Sequence, residues 1–213
     1  MTKSVVWGVQ QNRYRLSLVL VLSFLLTFAI TACGLGGGDL PDDHYYRLPD
    51  ISVTKQAQAA FDEIVIKPVK ASGLYHDRAI LYIEKEKPLE LQRYHYYFWA
   101  ETPANLLQNA LYQGLLNSGV SGQVSRQMGE HRADYIIDSR IIRFERVIDG
   151  SNVTVEVVVE IALRSGKNAT QHWSRRYAST QQLQTTAMHD SAEAFGRALQ
   201  QIVETLIGDL NKQ

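Results

Sequence analysis

The chain has 213 residues, with 22 Lys/Arg balanced by 22 Asp/Glu and one cysteine, Cys33. That balance leaves no basic excess to neutralise phosphates, which excludes nucleic-acid binding of the usual electrostatic kind. A single thiol cannot form an internal disulfide, so a fold of this length must hold together by packing.

Lys3, Arg13 and Arg15 precede an apolar stretch from Leu16 to Ile30, which runs into Ile30-Thr31-Ala32-Cys33-Gly34. A positive segment, an apolar segment and small residues before a cut site are the marks of a secretory signal. The cysteine directly after the small residues resembles the lipobox of bacterial lipoproteins. That resemblance implies cleavage before Cys33 and attachment of acyl chains, palmitate among them, to its thiol and to the new N-terminus. Gly34 stands where the common inner-membrane retention signal has an aspartate, so the implied location is the periplasmic face of the outer membrane. The competing reading is an uncleaved anchor over residues 16–32, which is short for a spanning helix and carries four hydroxyl residues. The leader holds three of the 22 basic residues and no acidic one, so the mature chain has a formal charge of −3. Membrane attachment must then come from lipid, and two or three acyl chains hold stably where one does not.

Residues 33–44 read as a lipidated, glycine-rich tether, and 45–213 as a periplasmic domain. Tyr45 to Leu48 is a short first strand, and residues 52–60 form a polar link. Phe61 to Val69 is a strand with Ile64 and Ile66 on one face, ended by Pro68. Ala79 to Ile83 and the aromatic Leu89 to Phe98 are the next two strands. Thr102-Pro103 fits an N-cap and first helical residue, because the hydroxyl accepts an orphan N–H and proline has none to leave unpaired. Leu106, Leu107, Ala110, Leu111, Gly114 and Leu115 follow on one stripe, and Gly119 suits the left-handed position after the last turn.

Tyr135 to Val147 mixes parities, which predicts a bulge or a strand covered on both faces. Asp149-Gly150 predicts a tight hairpin. Val153, Val155, Val157, Val159, Ile161 and Leu163 then form an unbroken alternation opposed by Thr154, Glu156, Glu160 and Arg164, the pattern of a sheet covered mainly on one side. After a turn at residues 165–168 comes a strand from Thr170 to Thr180. A last helix spans about Ala187 to Asp209, with Phe195, Leu199, Ile202, Leu206 and Leu210 on its apolar stripe. The predicted class is α+β, a mostly antiparallel, mixed sheet with two amphipathic helices packed on one face.

Catalytic signatures are missing from the sequence: there is no G-x-S-x-G, H-E-x-x-H, Walker loop or dinucleotide fingerprint. The expectation is a protein without catalytic residues, cofactor or metal. The six histidines are scattered, with none at metal-ligand spacing. Glu130, His131 and Asp134 form an acid/base group on paper, but in a polar turn they read as solvated charges. Glu84-Lys85-Glu86-Lys87 reads as a hairpin tip or protected sheet edge. The run Tyr94, His95, Tyr96, Tyr97, Phe98, Trp99 carries more interest. Phe98 and Trp99 are expected beneath the first helix, while Tyr94 and Tyr96, sharing a parity, are expected on one face as a partner-binding pair.

Several segments in order resemble the ABC-type transport auxiliary lipoproteins, also called membrane-integrity-associated transporter subunits. They are the lipobox at Cys33, Tyr45-Tyr46-Arg47-Leu48, Leu74-Tyr75-His76-Asp77-Arg78 leading into Ile80-Leu81-Tyr82, and Trp99-Ala100-Glu101 before the first helix. The resemblance implies a lipid-anchored partner of an MCE-domain protein, of inner-membrane transporter subunits, or of both, in a lipid-transport system. It implies a small α+β domain and supplies no catalytic residues. Self-association stays open, as does a second reading, a structural envelope lipoprotein that assists outer-membrane assembly by binding a barrel or lipopolysaccharide.

Overall fold

The computed structural model describes residues 41–126, 133–168 and 170–213. The leader, Cys33 and most of the tether lie outside the described residues, as do Glu130 and His131. Its organising element is one long strand. β6 (Tyr135–Asp149) pairs along its whole length with β7 (Asn152–Ser165), which pairs in turn with β8 (Gln171–Gln182), both antiparallel. The opposite edge of β6 is shared. Near its start β6 takes β2 (Phe61–Ile66), and near its end β3 (Ala79–Glu84), both parallel to it. β5 (Ser121–Ser125) extends the sheet beyond β2, while β4 (Gln92–Trp99) and then β1 (His44–Tyr46) extend it beyond β3. Among the described residues, eight strands form one open sheet, which is mixed, as expected.

Two helices cover one face, α1 (Pro103–Ser118) and α2 (Met188–Leu210). α1 starts where the sequence predicts: the Thr102 hydroxyl accepts the Asn105 N–H and Pro103 takes the first helical position. It stops at Gly119, whose φ of 66° is open to glycine at little steric cost. The alternating residues of β7, from Val153 to Leu163, are all buried against the helices, and so is the whole predicted stripe of α2. Trp99, Phe144 and Phe195 interlock where β4, β6 and α2 meet, with ring centroids 4.5 to 5.7 Å apart. The segment after β1 straps the helical layer. Pro49 rests on Gly196 of α2, Ile51 is buried beside Gly114 of α1, and Ile51 O accepts a bond from Asn117 Nδ2 at 3.3 Å.

Several local expectations change. The first strand is His44–Tyr46 rather than 45–48. β5 went unpredicted because Ser-Gly-Gln-Val-Ser shows neither alternation nor an apolar run. The hairpin loop is Gly150-Ser151, since Asp149 and Asn152 still pair; Gly150 supplies the positive φ, 58°. The mixed parity of β6 has both predicted causes. A register shift lies between Ile141 and Arg143, and Ile136 is buried on the far face with Val65 and Ala133.

Candidate functional site

The end of the sheet formed by β1, β3 and β4 carries the aromatic run. Between Arg93 and Phe98, β4 gains three residues relative to β3, because Leu81 pairs with Arg93 and Ala79 with Phe98. An irregularity of that size breaks the alternation on which the shared face of Tyr94 and Tyr96 depends. Tyr94 therefore turns inward with Tyr97, their rings 5.6 Å apart and edge to face, and both pack against the core. Tyr96 stays outside, 38% exposed, beside His95. Phe98 departs from expectation too. It lies half-buried on the side away from the helices, stacked on Tyr45 with the Arg78 guanidinium 5.5 Å above the Tyr45 ring. Trp99 alone fulfils the core expectation, at 1% exposed.

From the exposed His44 inward, the rings form a continuous row. His44 stacks on Tyr97, Tyr97 meets Tyr46 and Tyr94, and Tyr94 meets Tyr82 at 4.6 Å. Arg146 of β6 lies at the end of this row and is almost wholly buried. Its guanidinium stands 5.3 Å from the Tyr94 ring centre, donates to the Tyr94 hydroxyl, and donates to Thr186 O at 2.9 Å. Arg146 has no carboxylate among these contacts, and its Nε has no hydrogen-bond partner. Burial accordingly lowers the Arg146 pKa and raises that of Tyr94. Sequence inspection could not find this residue, since Glu145-Arg146 in a strand reads as an exposed pair.

On the other face, the Glu145 carboxylate accepts a bond from the Tyr75 hydroxyl, while Glu156 directly opposite it binds Arg143 at 2.7 Å. Burial raises the Glu145 pKa, opposed by the Tyr75 bond and Arg143. Asp134, the described member of the predicted acid/base group, accepts the backbone N–H groups of Asp62 at 2.8 Å and Glu63 at 3.3 Å. It pins β2. Among the described residues no cluster of His, Cys, Asp and Glu could hold a metal ion. No helix there is long and apolar enough to cross a membrane. A cleft of about 300 Å³ between the strap and α1 has Leu48, Ile51, Leu106 and Ala110 in its wall. Of its polar residues, Asn109 donates to the Glu101 carboxylate at 3.1 Å.

Residues 46–206 match the family model of the ABC-type transport auxiliary lipoprotein component. No curated protein is significantly similar in sequence. Among solved structures, a Xanthomonas campestris protein superposes with a TM-score of 0.68 at 22% identity, covering 80% of this chain and 98% of that one. An uncharacterised protein gives 0.64 at 13%, covering 80% and 99%. A hypothetical protein from Chlamydia trachomatis gives 0.51 at 9%, covering 72% and 100%. At such identities these likenesses establish the fold alone.

Proposed function

The chain belongs to the family of ABC-type transport auxiliary lipoprotein components, and from that premise we propose that it is a non-catalytic docking subunit of an MCE-type intermembrane lipid-transport system. In this reading Cys33 carries the acyl anchor, the protein sits on the periplasmic face of the outer membrane, and its activity supports membrane integrity. The family match over nearly the whole folded domain carries the proposal. The lipobox-like sequence before Gly34 supports the anchor. Tyr96 is the member of the predicted tyrosine pair that solvent reaches, and an exposed tyrosine offers large contact area with a polar tip.

Affinity capture of the tagged lipoprotein from detergent-solubilised envelope should recover an MCE-domain protein or its transporter subunits. Tyr96→Ala should reduce that recovery while leaving the thermal melt unchanged. Recovery of barrel-assembly components alone would overturn the proposal in favour of an outer-membrane assembly role.

A further inference from the structure

Asn105, Asn109, Gln113 and Asn117 follow one another along α1 at intervals of four, and the helix has no charged side chain. Asparagine is a weaker helix former than the Glu, Lys or Arg that outer positions ordinarily hold, and amides forgo the ion pairs available at that spacing. Helix stability therefore does not explain the row. Three of its members meet the strap. Asn109 and Gln113 stand in the wall of the cleft of about 300 Å³, and Asn117 donates to Ile51 O at 3.3 Å.

The Asn117 bond shows what the row can do, which is to hold the main chain of a neighbouring irregular segment. A carboxamide donates and accepts at once, as a peptide group does. Residues four apart on a helix rise about 6 Å, and alternate residues of an extended chain about 6.7 Å. From Asn109 to Asn117 the two repeats diverge by only about 1–2 Å, which side-chain rotation absorbs. Partners are still wanted. Among the described residues Gln113 makes no hydrogen bond, Asn109 Oδ1 accepts none, and the main chain of Leu48 and Asp50 in the opposite wall makes none either.

The rest of the lining selects among ligands that carry such groups. Leu48, Ile51, Leu106 and Ala110 give an aliphatic surface that suits a side chain such as valine or leucine. Among the described residues no aromatic ring lines the cleft, so a sugar has no face to stack on. Arg47 is outnumbered by Asp50 and Glu101, which disfavours an anionic headgroup. Pro49 resting on Gly196 fixes the strap, so it does not fill the cleft by collapsing onto α1.

We infer that this cleft is a peptide groove. An extended segment of a partner protein lies along α1, its main chain paired with Asn109 and Gln113 and one apolar side chain set against Leu106 and Ala110. The groove does not use Tyr96, and it stands whether or not the docking role proposed above holds.

The test pans a phage-displayed library of random heptapeptides on the full-length lipoprotein in detergent micelles. Peptides with apolar residues at alternate positions should be enriched on the parent and lost on Gln113→Leu, whose melt should match the parent's because Gln113 is exposed. In fluorescence anisotropy an enriched peptide should bind the parent about tenfold more tightly than Gln113→Leu, the loss expected for one main-chain hydrogen bond. Its fully N-methylated form should not bind, and Tyr96→Ala should change nothing. No enrichment, or equal enrichment on both proteins, overturns the inference. An N-methylated peptide that binds as well overturns it too, since the main chain would then play no part. Self-association of the parent in sedimentation that Gln113→Leu abolishes would seat a second copy in the cleft and overturn it equally.

Discussion

Pro49 of the strap sits so close to Gly196 of α2 that a β-carbon there would lie 2.3 Å from the proline Cγ and 2.6 Å from its Cδ. Both are rigid ring atoms, so the strap must lift if Gly196 gains a side chain. Gly114 of α1 is comparably confined, its absent β-carbon 2.3 Å from Val203 Cγ1.

Gly196→Ala should therefore destabilise by about 1–3 kcal/mol, overpacking outweighing the gain in helix propensity of up to about 1 kcal/mol. Pro49→Ala keeps only the Cβ, which would lie 3.7 Å away, an ordinary contact. Adding Pro49→Ala to Gly196→Ala should restore most of the loss in a denaturant titration. A double variant no more stable than Gly196→Ala alone would place the strain elsewhere.

Val157 and Glu156 test the two faces of β7. Val157 is fully buried against the helices, so Val157→Asp leaves an unpaired charge in the core and should abolish the cooperative melt. Glu156→Gln removes a half-exposed pairing with Arg143 but also relieves the juxtaposition with Glu145. Its effect should stay within about 1 kcal/mol. Equal melting temperatures would mean the faces are inverted.

Arg146 separates shape from charge. Arg146→Ala opens a cavity and frees Tyr94 and Thr186, and should cost about 3 kcal/mol. Arg146→Met fills the same space without a buried cation, and replacing buried ionic groups by apolar ones of similar volume is often neutral or stabilising. Its melting temperature should equal or exceed the parent's. A methionine variant as weak as the alanine one would show that the two hydrogen bonds, rather than the volume, matter.

The acid limb of stability should contain a contribution from Asp209. Arg175 at 2.7 Å, with Lys212 and Tyr177 each at 3.0 Å, lowers its pKa to about 2 against the opposing effect of burial. A depressed carboxylate stabilises the fold fully above its unfolded value near 3.8, and that stability is lost as pH falls towards 2. Glu145, raised by burial, works in the opposite sense over the acid range. Comparison with Asp209→Asn isolates the first effect. The stability difference between parent and variant should shrink by roughly 1–2 kcal/mol between pH 4.5 and pH 2. A difference constant with pH would contradict it.

Most of this fold is legible in the sequence because its periods are long. Six alternating residues in β7 and five stripe residues in α2 leave little freedom, and Thr102-Pro103 with Gly119 bounds α1. The illegible parts are those that depend on a neighbour. β5 is a strand because β2 offers it a parallel edge, since its own residues express no preference. Tyr94 and Tyr96 separate because β4 must absorb three extra residues against β3, a mismatch visible only when both strands are aligned. Arg146 is buried because the segment before α2 crosses above it, through the Thr186 carbonyl. Period reveals what one segment wants, and none of these three depends on one segment.

The shared edge of β6 also governs the order of assembly. The β6–β7–β8 meander closes through short turns, whereas pairing Tyr82 with Arg146 or Ile66 with Ile137 must close loops of well over fifty residues. Loop-closure entropy and contact order favour the meander as the early structure. β2 and β3 occupy different stretches of one edge, so neither blocks the other, and each can dock on a finished template. Truncating Val157 should then slow folding, while truncating Ile66 or Ile83 should mainly hasten unfolding in stopped-flow measurements. Folding of this domain is a race with one start and two separate finishes.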